Sequence, residues 1–222
     1  MSPTLSSTSR GPLNLVSSPA REVQSWHKPG DSLFMSGPDW ETESVLDYPG
    51  DWFLSYAVSY KHAGDALVQK MEANEVSLDA VGFAVCFLYR HYVELMLKGL
   101  IDSGTLLDSR QHYFPRHQRI DELWRLCRPL LERAAHESKH PEIDAVERCI
   151  RELALIDPSG AGFHYGEHKI GLPALPPVTQ ASLTNMRDVT NRLAGFLEGI
   201  HAWLDELAHH EADIEADIGG EA

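Results

Sequence analysis

Three groups of polar side chains stand out by type and spacing in this 222-residue sequence. The first lies in FLYRHYVELMLKGLI, where Arg90, Glu94 and Lys98 recur every four residues and His91 precedes Glu94 by three. On a helix this spacing places the side chains on one stripe, directly after the most apolar run of the chain. Because burying a lone charge is costly, the sequence predicts either an ion-paired helix face or a functional cleft.

The other two groups are built around histidines, whose imidazoles can accept and donate protons near neutral pH. His117 opens the string HQRIDELWRL, where it either caps a helix, packs on Trp124 or acts in catalysis. His164 and His168 lie in the Gly- and Pro-rich segment 157–180, close to Asp157, Tyr165 and Glu167. Long irregular segments in compact domains often build a site, but flexible loops also accept polar residues freely.

The twelve histidines form no recognisable metal motif. His136 and His140 are four residues apart, as are His164 and His168, but neither pair is HExxH and no cysteine is near. The phosphate loop GxxxxGK[ST], a dinucleotide GxGxxG and the nucleophile elbow GxSxG are also missing. We therefore expect neither a metal nor a cofactor.

Composition restricts the class of protein. Hydrophobic residues make up 43% and charged residues 23%, as in an ordinary soluble globular domain. The net charge of −14, from 19 Lys and Arg against 33 Asp and Glu, opposes tight nonspecific binding to nucleic acid. A small basic cleft on an acidic body remains compatible with that balance.

The expected location is the cytoplasm. Cys86, Cys127 and Cys149 are too few and too scattered for a disulfide framework, which favours a reducing compartment. The first residues have no apolar signal region, and the apolar run Ala80–Tyr89 is too short to span a membrane. We expect a protein without membrane association.

The chain divides into three parts by composition. Residues 1–45 form a flexible arm rich in Ser, Pro and Gly, residues 46–212 a helical domain, and residues 213–222 an acidic disordered tail. The last 27 residues hold eight acids and no Lys or Arg, so over half of the net charge lies there.

Apolar residues spaced three and four apart predict the helices of the central part. The predicted helices are Trp52–Met71, Ser77–Ile101, one that starts near His117, Pro141–Ile156 and Ser182–His210. Gly104 is expected to follow the end of the second helix, and Pro129 to kink or split the third. The second is apolar on nearly every side, as a central helix is. The predicted fold is an all-α, up-and-down bundle of four to six helices.

In order along the chain, FLYRHYVELMLKGLI, HQRIDELW and IDPSGAGFHYGEHKIG resemble an uncharacterised bacterial branch of the HEPN superfamily (higher eukaryotes and prokaryotes nucleotide-binding). The resemblance covers roughly residues 50–205. It implies an all-α homodimer of the kind found in toxin–antitoxin, phage-defence and RNA-processing systems. Active members are metal-independent endoribonucleases with an Arg-x(4–6)-His motif at the dimer cleft, and other members are inactive binding or scaffold domains.

Histidine and arginine suit RNA cleavage, because histidine moves a proton at the 2′-hydroxyl or leaving oxygen while arginine stabilises charge on the phosphate. The motif spacing occurs at Arg21/His27, Arg110/His117 and Arg133/His140. Arg110/His117 is the best match, since His117 also belongs to the second string. Arg90-His91 lacks the spacing, and His164 stands where the resemblance leads us to expect arginine.

Three hypotheses follow from these residues, and a metal-dependent enzyme in the helical bundle ranks third, because the histidines form no recognisable metal motif. In the first, the chain is a metal-independent endoribonuclease of a defence or toxin system, and His117→Ala abolishes RNA cleavage that survives a chelator. Its cleft would draw on Arg90, His91, Glu94, Arg110, His117 and His164. In the second, the chain is a noncatalytic module that dimerises and binds a partner protein or nucleotide, and His91 and Glu94 order the fold or an interface.

Overall fold

The structure is a computed structural model that describes residues 50–109, 111–134, 141–165 and 180–219, with a few isolated positions between 30 and 46. These residues form helices and connections and contain no strand, so the predicted all-α bundle is confirmed. The helices are α1 (Trp52–Glu72), α2 (Leu78–Ser109), α3 (Ile120–Ala134), α4 (Pro141–Ile156), α5 (Ala161–Tyr165) and α6 (Leu183–Gly219).

Helix α2 is the centre of the bundle. It packs against α1, α3, α5 and α6, while α4 packs on α3 and α6 also contacts α1. Every residue of α2 from Tyr92 to Ile101 is buried. The predicted central position of this helix is therefore confirmed, because α1, α3, α5 and α6 all pack on it directly.

Local capping sets the start of α1 and the connection to α2. The Asp51 carboxylate accepts a hydrogen bond from the Leu54 backbone N–H at 3.0 Å, and the Ser77 hydroxyl accepts one from Ala80 at 3.2 Å. Asn74 takes a left-handed conformation with φ of 58°, which asparagine tolerates better than most residues. Together they turn the chain back, so that α1 lies along α2.

The predicted end of α2 was wrong, and packing explains why. The helix continues through Gly104 to Ser109. A Cβ atom on Gly104 would lie 2.7 Å from Cδ1 of Leu130 in α3, so this glycine allows two helices to approach instead of ending one. Helix α3 begins at Ile120, three residues after His117, and runs unsplit past Pro129.

Two other boundaries differ from the sequence prediction. The segment 157–180 is not irregular throughout, because it contains α5; residues 166–179 lie outside the described part of the chain. Helix α6 continues beyond His210 to Gly219, through most of the residues assigned to the acidic tail. Alanine and glutamate propagate a helix well once it has formed, which accounts for the extension. Nearly all of the N-terminal arm lies outside the described residues.

Among the described residues, one helix has the length and composition of a membrane span, namely Leu78–Asp108 within α2. In this fold 61% of its most apolar window is buried inside the protein. The core helix of a helical bundle meets the same criterion, because it is apolar on most sides.

Candidate functional site

Arg90 lies in the middle of α2 with only 2% of its surface exposed, and each of its guanidinium nitrogens has a partner. Nη1 donates to Glu94 Oε2 at 2.6 Å, and Nη2 donates to the Gln118 carbonyl oxygen at 2.6 Å. Nε donates to the Asp157 carbonyl oxygen at 3.1 Å and lies 3.6 Å from the Asp157 carboxylate. Arg90 thus joins α2 to the residues that precede α3 and follow α4.

Four charged side chains form what we call the buried ion cluster: Arg90, Glu94, Lys98 and Asp157, all buried. Lys98 Nζ donates to Glu94 Oε1 at 2.8 Å. Burial would raise the pKa of Glu94, but contacts with His91, Lys98 and Arg90 outweigh it and lower this pKa to about 2. The cluster therefore pairs two basic side chains with two acidic ones. Of the two interpretations of this stripe in the sequence, the ion-paired helix face agrees with the structure.

The segment IDPSGAG completes the cluster by forming a tight turn. The Asp157 carboxylate accepts hydrogen bonds from the backbone N–H groups of Gly162 at 3.1 Å and Phe163 at 3.2 Å, which fixes the start of α5. Gly160 has φ of +77°, and a Cβ there would lie 3.0 Å from Nη1 of Arg90. Glycine is required at this position because the guanidinium packs directly against its backbone.

His91 lies beside this cluster in an aromatic environment. Its ring meets Tyr60 edge-on at 4.5 Å between centroids and stacks on Phe87 at 5.5 Å. The Phe87 ring also contacts His164, at 5.4 Å. Nδ1 of His91 is 3.9 Å from the Glu94 carboxylate. We call His91, Phe87 and His164 the histidine–phenylalanine stack.

His117 faces a different way. Its Nε2 lies 3.4 Å from the Glu122 carboxylate, and its Nδ1 accepts a hydrogen bond from the Arg119 N–H at 3.3 Å. These contacts order the turn that leads into α3, but the imidazole accepts from Arg119, which precedes the helix, and not from an N–H within α3 as the predicted helix cap would. The next residue, Gln118, contacts Arg90 through its backbone carbonyl, so His117 is a sequence neighbour of the buried ion cluster. The His117 side chain, however, contacts Glu122.

Arg90, His91, Glu94 and His164 are the predicted site residues that the structure brings together. Arg110 lies outside the described residues, and so do His140, His168 and the pair Arg21/His27. Arg133 is exposed and contacts Asp108 at 3.0 Å.

An exposed apolar surface on α2 was not predicted. It consists of the exposed Ala80, Phe83 and Ala84 and the half-buried Phe87, which recur on one side of the helix and lead to His91; we call it the α2 face. The Phe83 side chain is 68% exposed. No Lys, Arg, Asp or Glu occurs from residue 80 to residue 89. The sequence predicted burial on nearly every side, and the described part of the structure leaves this side uncovered.

Sequence reasoning also missed His201, which is 1% exposed on α6. Its Nε2 lies 2.6 Å from the carboxylate of Asp51, the N-cap of α1, and its Nδ1 lies 3.4 Å from Asp205. Burial would lower the pKa of His201, but the contact with Asp51 and the charges of Asp205 and Asp51 raise it overall. The spacing of apolar residues along α6 would have placed His201 on the side of the helix that faces the core.

The described residues contain no group of three His, Cys, Asp or Glu side chains placed to hold a metal ion. Glu198 and His201 have the Glu-x-x-His spacing of bundle metal sites, but Glu198 accepts a hydrogen bond from Tyr92 at 3.0 Å while His201 contacts Asp51. Shallow depressions on the described part of the chain include one of about 390 Å³ along residues 112–116 and one of about 460 Å³ between α1 and α6. Neither is lined by the buried ion cluster or the histidine–phenylalanine stack.

The fold and its charged centre define an all-α helical bundle held together by a buried ion cluster. No family model matches the chain, and no curated protein and no solved structure matches it either.

Proposed function

We propose that this chain is a noncatalytic, cytoplasmic, HEPN-like module that forms a homodimer through the α2 face. The observation that carries the proposal is the exposed Phe83 on an uncharged stretch of the central helix. Burying a phenylalanine side chain contributes about 1.5–3 kcal/mol, so an exposed one on a rigid helix favours association.

Charge supports a second copy of the chain as the partner. Two copies that each carry a net charge of −14 repel one another, so they associate best through a surface without acidic side chains. The four residues that define the α2 face are uncharged, and the nearest acidic residue along the helix is Asp79, at the N-terminal edge of the face. In a two-fold dimer the same patch meets itself, and Ala80 and Ala84 beside Phe83 leave room for the partner's phenyl ring.

The state of Arg90 supports a noncatalytic role. Its nitrogens already contact Glu94, Gln118 and Asp157 inside the fold. To contact a substrate phosphate, the guanidinium would have to leave buried carboxylate and carbonyl groups without donors, which is costly. Arg90 and Glu94 therefore serve as structural residues in this proposal.

Replacing Phe83 by glutamate is expected to convert the dimer into a monomer, because the change places like charges at the centre of the interface. Sedimentation equilibrium of the full chain measures this directly. Leu155→Glu is the matched control, since Leu155 is also an exposed apolar residue, 80% accessible on α4. Circular dichroism shows whether both variants keep their helices. A wild-type chain that stays monomeric at every concentration would refute the proposal.

The second candidate is the metal-independent endoribonuclease of the HEPN resemblance, and the histidine–phenylalanine stack favours it. His91 and His164 pack on one phenyl ring at the end of the α2 face, with the Glu94 carboxylate behind His91. A dimer through that face would bring the histidines of two subunits towards one cleft. Two histidines can divide the work of general base and general acid at a phosphodiester.

RNA cleavage in the presence of a chelator tests this candidate. His91→Asn is expected to reduce cleavage about 10²–10⁴-fold, the usual contribution of a general acid or base. His117→Ala shows whether the Arg110/His117 motif match carries activity instead. His209→Asn is the control, since His209 is exposed on α6. Absence of cleavage with every RNA tried would leave the binding module as the function.

A further inference from the structure

Exposed aromatic side chains gather at the start of α1. Trp52 and Tyr56 are one helical turn apart on this helix and are 44% and 42% exposed. The Trp52 ring meets the Tyr56 ring edge-on at 6.2 Å and the Phe114 ring edge-on at 5.8 Å between centroids. Tyr113, the residue before Phe114, is 56% exposed. We call Trp52, Tyr56, Tyr113 and Phe114 the aromatic platform.

The aromatic platform is anchored in the core of the bundle. The buried Phe53 ring stacks on Trp52 at 3.8 Å and meets Phe114 edge-on at 4.7 Å. A Cβ atom on Gly99 would lie 3.1 Å from the Phe53 Cβ, so Phe53 packs directly against α2. The depression of about 390 Å³ along residues 112–116 adjoins the platform. An exposed aromatic surface that is already rigid favours binding, because little conformational entropy is lost when a partner covers it.

The acidic end of α6 begins beside the platform. Asp51, the residue before Trp52, lies 2.6 Å from Nε2 of His201. Nδ1 of the same imidazole lies 3.4 Å from the Asp205 carboxylate. The last 27 residues of the chain hold eight acids and no Lys or Arg, and α6 runs through most of them. Negative charge therefore adjoins the platform on the side of α6.

We propose that the aromatic platform binds a basic peptide segment, rich in arginine or lysine, of a partner protein. Cations are attracted to the faces of aromatic rings, and guanidinium groups also stack on them. The net charge of −14 attracts a basic partner and repels an acidic one. Binding of nucleic acid needs several basic groups, whereas the residues that line the depression include one arginine, Arg116, and no lysine.

The platform and the α2 face are separate surfaces. Gly99, against which Phe53 packs, follows Phe83 by 16 residues on α2, which corresponds to about 24 Å along the helix axis. Occupation of the platform therefore leaves the α2 face accessible to a second copy of the chain. The inference is independent of the proposed dimer.

Binding of a dye-labelled octa-arginine peptide to the full chain, measured by fluorescence polarisation, tests the inference. Salt of about 0.15 M shortens the Debye length to about 8 Å, which screens the long-range attraction to the acidic residues. We expect Trp52→Ala and Tyr113→Ser each to raise the peptide dissociation constant about tenfold, because tryptophan and tyrosine carry much of the binding energy of interfaces. Arg116→Gln is expected to lower it, since that change removes a like charge beside the platform.

Leu155→Ala is the matched control, because it shortens an exposed apolar side chain on α4, and it should bind the peptide as the wild type does. Tyr113→Ser lies outside the helices and covers the case in which Trp52→Ala fails to fold. Equal affinity in the wild type and both platform variants would assign the binding to the acidic residues alone and overturn the inference, as would absence of binding. Tighter binding of an octa-glutamate peptide or of an oligouridine RNA, lost in Trp52→Ala, would also overturn it.

Discussion

Replacing Arg90 with methionine is expected to lower the free energy of unfolding by about 3–5 kcal/mol, the usual cost of removing one partner from a buried ion pair. Methionine fills much of the same volume but has no donors. The carbonyl oxygens of Gln118 and Asp157 would lose the donors at 2.6 and 3.1 Å. Glu94 would keep Lys98 as its cation. Urea denaturation followed by circular dichroism measures the loss.

Two further variants make this prediction specific. Arg90→Lys keeps the charge but has its donors on a single nitrogen, whereas Arg90 contacts its partners through three, so this variant should remain clearly destabilised. Arg119→Met removes an arginine that contacts Asp121 at 3.0 Å and Glu122 at 2.8 Å on the surface. Exposed ion pairs contribute little, so the stability of this variant should stay close to that of the wild type. Equal losses in Arg90→Met and Arg119→Met would show that the buried ion cluster does not hold α2, α3 and α5 together.

The second large effect concerns the pH dependence of stability through His201. Because Asp51 and Asp205 raise its pKa in the folded chain above the ordinary value of 6.5, its contribution is complete below pH 6.5. That contribution is lost as the pH rises through the folded pKa. The pKa of Asp51, which contacts His201, shifts in the opposite direction. Burial would raise the pKa of Asp51, but the contact with His201 and the N-cap bond to Leu54 lower it below 3.8. Its contribution is therefore present above pH 3.8 and is lost as the pH falls through the folded pKa.

His201→Gln should therefore reduce the free energy of unfolding at pH 6 by about 1.5–3 kcal/mol, as expected for a buried bond to a charged group. The difference from the wild type should shrink as the pH rises through the raised pKa of His201, because the wild-type imidazole then becomes neutral. His209→Gln, at an exposed position of the same helix, should leave the pH profile unchanged. Wild-type and His201→Gln profiles that run parallel from pH 6 to pH 9 would contradict the assignment.

Helices with strong apolar periodicity could be located from the amino-acid sequence alone. Helix α1 begins at Trp52 as predicted and ends one residue later than predicted, and α4 has the predicted bounds Pro141–Ile156. The 3.6-residue period and a proline at the first helical position are local signals, because they depend only on residues that are close in the sequence. The central position of α2 was also predicted, because a helix that is apolar on nearly every side needs neighbours.

Features that depend on packing between distant segments became visible only in the folded chain. Gly104 looks like a helix end in the sequence, and only the approach of Leu130 shows why α2 contains it. Phe83 has the same apolar character as its buried neighbours, and only the arrangement of the other helices leaves it exposed.

The same holds for the candidate site. The four-residue spacing indicated that Arg90, Glu94 and Lys98 act together, since neighbours on one helix are set by local geometry. Their state as a buried ion cluster depends on Asp157, which is 67 residues from Arg90 along the chain. His201 and Asp51 meet across an even longer separation. Contacts between distant segments leave no periodic signal in one sequence, so only the fold could show which histidine is buried against a carboxylate and which lies at the α2 face.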